Sequence, residues 1–313
     1  MVLKLKMNPL FNNTLWRKFM LILVMAAGLT QLCVGDLRAN DRIPVYVSIL
    51  PQQFFVQQIG KNMVDVQVMV PPGASPATYE PRPAQMTALG KTKLYFAVGV
   101  PFESVWLKKI IAVNPGMTVI HTDDGIQKRF MENHVCEEPG KHPEGGHEHP
   151  HHIPDPHIWL SPPLVMLQAR SILVGLQRID PVHQAAYAEN YQAFISKLAV
   201  LDEQLRQLFA DTENKRFMVL HPAWGYFAKT YGLSQVPIEI EGKDPKPAQL
   251  GKIIAYARQN ALKVVLAQPQ SSARFAEQVV KAVDGKVVYA DPLSSEWESN
   301  LLEVARKIKA ALE

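Results

Sequence analysis

Histidines crowd into one stretch of this chain. Of its ten histidines, seven lie between residues 132 and 157, among acidic residues, glycines and prolines and with almost no apolar side chain. Neutral imidazole is a ligand for Zn²⁺, Cu²⁺ and Ni²⁺, so this composition indicates metal binding. Because so polar a segment cannot bury a core, we expect residues 132–154 to form a mobile loop that collects ions loosely, through residues that include His134, His142 and His147.

Three residues, one of them the last of these seven histidines, could form an ordered site on a packed scaffold. His221 and Asp291 each directly follow a strand-like run, and open α/β sheets bind ligands at the carboxyl ends of their strands. His157 lies just before a helical stretch. Each of the three could equally cap the helix that follows it. As ligands, two imidazoles and a carboxylate suit Zn²⁺ but also Mn²⁺, Cu²⁺ and Ni²⁺, so the residue types leave the metal open.

The segments that carry these residues alternate between strand-like and helix-like patterns. Stretches of helical length separate short runs that are rich in apolar and β-branched residues, an alternation that predicts an α/β fold. The runs fall into two sets, and we expect two lobes, each a mostly parallel sheet flanked by helices. The runs are Pro44–Ile49, Val64–Val70, Lys93–Gly99 and Met117–Ile120 in the first set, and Phe217–Leu220, Val236–Ile240, Lys263–Ala267 and Lys286–Ala290 in the second.

The longest helical pattern separates the two sets of strands. Apolar residues recur there at steps of two to four, after an Asp180-Pro181 pair that suits a helix N-terminus. The pattern predicts a rigid connecting helix over residues 180–211, about 45 Å long at 1.5 Å per residue. It would join an N-terminal lobe at 40–179 to a C-terminal lobe at 212–313.

The first 35 residues are typical of a signal peptide. Basic residues precede an apolar run that ends at Leu29 and is shorter than the roughly 20 residues that a membrane-spanning helix needs. We therefore expect residues 1–35 to direct export to the periplasm, with a single membrane anchor as the alternative. Lipid attachment at Cys33 is disfavoured because Thr30-Gln31-Leu32 lacks the small residue typical of such a site. Removal of the signal would leave one cysteine, Cys136, and no internal disulfide.

The charge balance of the remaining chain excludes one class of partner. Without the first 35 residues, 29 basic residues stand against 29 acidic ones, and no dense stripe of lysine and arginine occurs. Binding to nucleic acid depends on such a positive surface. We therefore expect no nucleic-acid partner.

Five motifs in order resemble those of the zinc/manganese-type (cluster A-I) solute-binding proteins of ABC transporters. The resemblance runs from about Ile43 to the C-terminus. It implies two α/β lobes joined by a long helix, with a metal ion in the cleft between them, and a histidine-rich loop that marks zinc-type members. The motifs are Pro76-Ala-Thr-Tyr-Glu-Pro81, Asp155-Pro-His-Ile-Trp-Leu-Ser-Pro162, His221-Pro-Ala-Trp-Gly-Tyr-Phe-Ala-Lys-Thr-Tyr-Gly232, Glu241-Gly-Lys-Asp-Pro-Lys-Pro-Ala-Gln-Leu250 and Asp291-Pro-Leu293.

Carried over by motif, the resemblance implies that His157 is the first lobe's metal ligand and that His221 and Asp291 are the second lobe's. The first motif departs from the family, because Ala77 stands where members place a metal-binding histidine. A methyl group cannot coordinate a metal, so the usual set of four ligands is one short.

Several groups could supply the missing donor. The expected one is a loop histidine, because the nearest of them lie only five to eight residues before His157. A water molecule would give a weaker site, since tight non-catalytic zinc sites usually have four protein ligands. The protein candidates are His149, His151, His152 and Glu80.

Together these features predict an exported receptor, expected to be a monomer, that captures Zn²⁺ and delivers it to an ABC permease and its ATPase. A receptor of the same type for Mn²⁺ or another divalent ion is one alternative, and a metal buffer or chaperone that uses only the loop is another. A hydrolase would need a general base beside a zinc-bound water, such as Glu80 or Glu241. The chain has no Gly-x-Ser-x-Gly motif and no glycine-rich phosphate loop, so we expect no enzyme activity.

Overall fold

The computed structural model describes residues 42–131, 153–212, 215–240 and 242–313. The predicted export segment, Cys33, Cys136 and Glu241 lie outside these ranges, as do the loop histidines His134, His142, His147, His149, His151 and His152. Residues Ile43–Glu313 form one compact unit. None of the described helices combines the length and the apolar character needed to cross a membrane.

The first sheet has four parallel strands in the order β2-β1-β3-β4. Leu94, Tyr95, Phe96 and Ala97 of β3 are completely buried, as expected for a parallel sheet covered on both faces. The strands are β1 (Ile43–Val47), β2 (Val64–Val68), β3 (Leu94–Ala97) and β4 (Thr118–His121), and the helices along this part of the chain are α1 (Leu50–Gly60), α2 (Pro83–Leu89), α3 (Pro101–Val113) and α4 (Pro162–Ile179).

The second sheet repeats this arrangement, with four parallel strands in the order β6-β5-β7-β8. The predicted α/β fold with two parallel sheets is therefore confirmed. The strands are β5 (Arg216–Val219), β6 (Ser234–Pro237), β7 (Val264–Ala267) and β8 (Lys286–Tyr289). The remaining helices are α5 (Gln184–Leu208), α6 (Gly225–Thr230), α7 (Pro247–Gln259), α8 (Arg274–Ala282) and α9 (Trp297–Leu312).

Helix α5 lies between the two sheets in the chain, and it is shorter than predicted. It has 25 residues, which corresponds to about 37 Å. The predicted start at Asp180 is wrong, because Asp180 Oδ2 bonds to His183 Nδ1 at 2.6 Å and accepts a hydrogen bond from Tyr187 Oη at 2.7 Å. Pro181–His183 therefore forms a separate 3₁₀ turn before the helix. The division into lobes at 40–179 and 212–313 stays a prediction.

Two buried tryptophans connect segments that lie far apart in the chain. Trp297, at the start of α9, packs edge-on against Phe55 of α1 with 5.0 Å between ring centroids. Its indole N–H donates to the Trp159 carbonyl at 2.8 Å, and the Trp159 indole donates to the Pro292 carbonyl at 2.7 Å. A buried indole N–H needs such a partner, so these bonds hold the segment after His157 against the segment after β8.

Candidate metal centre

His221 lies two residues beyond β5, and its ring is held by the neighbouring strand. Val219 pairs with Pro237 at the ends of β5 and β6, which brings the residues that follow the two strands together. Glu239 Oε2 lies 2.7 Å from His221 Nδ1. The carboxylate accepts the Nδ1 proton, and this leaves Nε2 as the lone-pair nitrogen for a metal.

His157 is held in the same way by an aspartate. Asp155 Oδ1 lies 2.7 Å from His157 Nδ1 and also accepts the backbone N–H of His157 at 3.0 Å. The histidine is only 8% exposed. Burial lowers its pKa below the ordinary histidine value, although Asp155 acts in the opposite direction. A metal ligand must be neutral, so burial favours the form that binds.

Asp291 lies two residues beyond β8, and one of its oxygens is occupied. Oδ1 accepts hydrogen bonds from Gln270 Nε2 at 2.7 Å and from the backbone N–H of Leu293 at 2.9 Å. Asn300 of α9 donates to the Asp291 carbonyl at 2.8 Å and holds the backbone there. Among the described residues, no hydrogen bond involves Oδ2, which leaves that oxygen for a metal.

The structure brings the two histidines together but leaves Asp291 apart from them. The ring centroids of His157 and His221 are 5.2 Å apart. Within the described ranges, no three His, Cys, Asp or Glu side chains converge closely enough to hold a metal ion. Ala77 and Glu80, in the segment between β2 and α2, are both exposed. A site that includes Asp291 therefore stays a prediction.

The residues that flank the histidine-rich segment pair through an isolated antiparallel β-bridge. Phe130 and Pro154 form a β-bridge. Beside it, the Met131 N–H donates to the Ile153 carbonyl at 2.9 Å. These bonds fix the two points between which the segment leaves and re-enters the described part of the chain.

Helix α6 of the second lobe holds these flanking residues next to His157. The backbone N–H of Asp155 donates to the Arg129 carbonyl at 2.7 Å. Tyr226 Oη accepts the N–H of Arg129 at 2.9 Å and donates to the Asp155 carbonyl at 3.0 Å. A Cβ on Gly225 would meet Arg129 Nη1 at 3.1 Å and Asp155 Oδ2 at 3.2 Å, so glycine permits this close approach. The aspartate that orients His157 is thus bound to both lobes.

Three residues that orient the candidate ligands were missed in the sequence. Asp155 belongs to one of the five motifs but is not among the predicted ligands, and neither Glu239 nor Gln270 is among the predicted site residues. Gln270 follows β7, whereas Glu239 lies inside the predicted strand Val236–Ile240 and follows β6 only because that strand ends at Pro237. Glu80, one of the two residues that could act as the general base of a hydrolase, has an exposed side chain.

Solved structures similar to this chain have the same fold. A crystal structure of a ZnuA has a TM-score of 0.80 and 38% sequence identity, and covers 87% of this chain and 100% of that one. A ZnuA deletion mutant with zinc bound has a TM-score of 0.78 and 37% identity, with coverage of 87% and 99%.

Curated relatives extend the similarity to named uptake proteins. The high-affinity zinc uptake system protein ZnuA of Bacillus subtilis is 30% identical over 269 residues, which are 85% of this chain and 83% of that protein. The zinc-binding lipoprotein AdcA of Streptococcus pneumoniae is 25% identical over 273 residues, which are 86% of this chain but only 53% of the lipoprotein. This chain therefore spans about half the length of AdcA.

A family profile covers both sheets and the helix between them. The profile is described as "ZnuA: Zinc-uptake complex component A periplasmic", and it matches residues 45–311. The predicted resemblance to the zinc-type solute-binding proteins is thereby confirmed. The chain belongs to the ZnuA family, the periplasmic component A of zinc-uptake complexes.

Proposed function

We propose that this protein captures Zn²⁺ between its two lobes and delivers it to an ABC permease and its ATPase for uptake. The ligands are Nε2 of His157, Nε2 of His221 and Oδ2 of Asp291. The observation that carries the proposal is the pair of imidazoles, 5.2 Å apart, each with its Nδ1 held by a carboxylate. Histidines that bind zinc typically donate their other ring N–H to such a carboxylate, which fixes the tautomer and the orientation of the ring. We also propose that residues 1–35 direct the protein to the periplasm.

The donor set suits zinc better than a harder cation. Zinc takes imidazole nitrogens and carboxylate oxygens in tetrahedral geometry, whereas Mn²⁺ and Mg²⁺ favour sites rich in oxygen. Three protein donors leave the fourth position to a water or to one of the loop histidines His149, His151 and His152. The named relatives support zinc as the ion, since their names and titles describe zinc uptake, zinc binding or bound zinc.

Capture requires that Asp291 approach the histidine pair. The bond from the Trp159 indole to the Pro292 carbonyl, 2.7 Å long, already joins the segments that carry His157 and Asp291. An ion attracted to the two imidazoles would draw the carboxylate in and close the site. Separation of the same groups on the permease would release the ion.

The family and the geometry both favour a receptor over an enzyme. The family is one of uptake-complex components. The carboxylates of Asp155 and Glu239 lie 2.7 Å from the Nδ1 atoms of His157 and His221, so both are committed to orienting ligands. Neither is left to act as a general base on a zinc-bound water, which a hydrolase would need.

Calorimetric titration with Zn²⁺, Mn²⁺ and Cu²⁺ tests the proposal. We expect one tight zinc-binding event that is lost in His157→Ala. The matched control is His183→Ala, which removes a histidine that also bonds to an aspartate, at 2.6 Å, but lies in the 3₁₀ turn before α5. This control should bind zinc like the unmodified protein. A tight event retained by His157→Ala would overturn the proposal.

Deletion of residues 134–152 separates capture in the cleft from the loop-only alternative. One tight event that survives the deletion supports a site completed by water, and one that is weakened supports a loop histidine as the fourth ligand. If the intact protein shows only weak, multiple binding that the deletion abolishes, the cleft is not the capture site. The protein would then be a metal buffer.

A further inference from the structure

The four strand ends of the second sheet carry two matched pairs of residues. In the spatial order β6-β5-β7-β8, the residues beyond the strands are Glu239, His221, Gln270 and Asp291. Glu239 bonds to His221 at 2.7 Å, and Gln270 bonds to Asp291 at 2.7 Å. Each candidate ligand of this lobe is therefore held by a residue on the neighbouring strand.

The orientation of the Gln270 amide is set by the carboxylate that it contacts. An ionised carboxylate only accepts hydrogen bonds, so the NH₂ group of Gln270 faces Asp291. The amide oxygen, Oε1, is buried and has no hydrogen-bond partner among the described residues. A buried acceptor without a partner destabilises a protein. The contact of Gln270 with Asp291 is thus made at the expense of stability, which is typical of a functional residue.

The surroundings of Gln270 leave little room for a substitute donor. Gln270 lines a cavity of about 10 Å³, which is at the lower limit for one water molecule. The other lining residues are Leu293 and the first-lobe residues Ile49, Leu50, Val70, Pro71, Gly73 and Ala74. Apart from Gln270, the lining side chains carry no donor. The cavity therefore offers no side-chain donor to the buried amide oxygen of Gln270.

The occupied oxygen limits how Asp291 can bind an ion. With Gln270 Nε2 and the Leu293 N–H both on Oδ1, only Oδ2 is available to a metal. A carboxylate that gives one oxygen suits four-coordinate zinc, whereas a carboxylate that gives two raises the coordination number. Ions that prefer many oxygen ligands, such as Mn²⁺, bind more favourably when both carboxylate oxygens coordinate them.

We propose that Gln270 is a positioning residue that keeps Asp291 monodentate and thereby favours Zn²⁺ over Mn²⁺. This inference rests on the proposed function, because it requires Asp291 to bind the ion. Gln270 itself does not touch the metal. Its effect is on the geometry and the selectivity of the site.

The test compares Gln270→Met with Gln268→Met. Gln268 is the matched control, because it is also half-buried, lies two residues away and bonds to Ser271 at 2.9 Å instead of to Asp291. We expect Gln270→Met to weaken zinc binding by about 10- to 100-fold, the range for loss of a residue that orients a ligand. Manganese binding should stay unchanged or improve, so the ratio of the two affinities falls. Gln268→Met should change neither affinity.

Cobalt gives a spectroscopic readout of the same change. Co²⁺ absorbs visible light strongly in four-coordinate sites and weakly in sites of higher coordination number. The bands of the cobalt-loaded protein should be intense in the unmodified chain and in Gln268→Met, and should lose intensity in Gln270→Met. Retained intensity in Gln270→Met would overturn the inference.

Thermal unfolding without metal separates positioning from a structural role. Because Gln270→Met removes a buried acceptor that has no partner, its Tm should be equal to or above that of the unmodified protein. A lower Tm with an unchanged zinc-to-manganese ratio would overturn the inference. If Asp291→Ala leaves zinc binding intact, the proposed function itself fails. If Asp291→Ala abolishes zinc binding while Gln270→Met keeps the ratio of zinc to manganese affinity, the proposed function stands and only the proposed role of Gln270 is wrong.

Discussion

Beyond the first sheet, the backbone and side-chain groups around Glu103 of α3 bond to one another, whereas beyond the second sheet His221 and Asp291 leave atoms available for a metal. Glu103 is the centre of the first arrangement. Its Oε1 accepts from Ser48 Oγ at 2.5 Å and from the Val98 N–H at 3.0 Å, and its Oε2 accepts from the Gly99 N–H at 2.8 Å. Burial raises the pKa of Glu103, although these hydrogen bonds act in the opposite direction.

The two sheets have the same strand order, but the polar residues beyond their strands have different roles. Both carboxylate oxygens of Glu103 have donors inside the first lobe, although Asp123 Oδ1, two residues beyond β4, is buried without a hydrogen-bond partner among the described residues. Gly99 accommodates the tight turn beside Glu103 with a φ of 84°. Beyond the second sheet, the described residues give His221 a hydrogen-bond partner at Nδ1 only and give Asp291 side-chain partners at Oδ1 only. An edge whose groups bond to one another stabilises its own lobe, while an edge with outward lone pairs can bind an ion.

The largest expected effect comes from removing a ligand at the second edge. His221→Ala should weaken zinc binding by more than about 100-fold, above the range seen when only an orienting residue is lost. The matched control is His121→Ala, because His121 ends β4 at the first edge and is exposed. Calorimetry on both variants measures the difference. Equal losses of zinc affinity in the two variants would contradict the proposal that His221, and not the first sheet, supplies the ligand.

Removing Glu103 should reduce the stability of the protein without changing its zinc affinity. Glu103→Ala leaves the Val98 and Gly99 N–H groups without their acceptor and leaves the Ser48 hydroxyl with Tyr95 as its partner. The free energy of unfolding should therefore fall by about 2–4 kcal/mol. Zinc affinity measured below the unfolding transition should not change. The control is Glu189→Ala, since Glu189 is exposed on α5. A loss of zinc affinity in Glu103→Ala would show that the first edge also contributes to binding.

Loss of Glu239 should weaken zinc binding without unfolding the protein. Glu239→Ala frees the His221 ring to rotate and to change tautomer, and we expect a 10- to 100-fold loss of affinity, about the range for such partners. Glu303→Ala is the control, because Glu303 forms an exposed ion pair with Lys307 on α9. Identical zinc affinities in the two variants would exclude a role for Glu239.

Zinc affinity should depend on pH in a direction set by the histidines. Protons compete with the metal for neutral imidazole, so affinity should fall as pH drops through about 6.5, the model-compound value. Burial lowers the pKa of His157, so protons compete with zinc for this residue only at pH values below that one. Titrations from pH 7.5 to 5.5 measure the profile, and a flat one would contradict histidine ligation.

The smallest expected effect concerns the bond that ties His157 to the second lobe. Tyr226→Phe removes the hydroxyl between the Arg129 N–H and the Asp155 carbonyl. One such hydrogen bond contributes about 1 kcal/mol, so zinc affinity should fall by only a few-fold. Tyr256→Phe, on α7, is the control. No change in Tyr226→Phe would show that Asp155 is positioned by its own segment.

The fold was largely predictable because buried parallel strands give short apolar runs that the sequence displays directly. The start of α5 could not be predicted, because Asp180 does not cap this helix but accepts a hydrogen bond from Tyr187, one turn inside it. His221 and Asp291 were found by their position after strands. Glu239 and Gln270 were missed because their roles depend on which strands are neighbours, and strand order does not follow from local pattern.

Anomalous diffraction at the zinc edge, on crystals of the zinc-loaded protein, tests the central claim most directly. We predict one strong peak about 2.0–2.2 Å from Nε2 of His157, Nε2 of His221 and one carboxylate oxygen of Asp291, the distances of zinc bound to nitrogen and oxygen. A zinc peak that lies away from all three side chains would contradict the account.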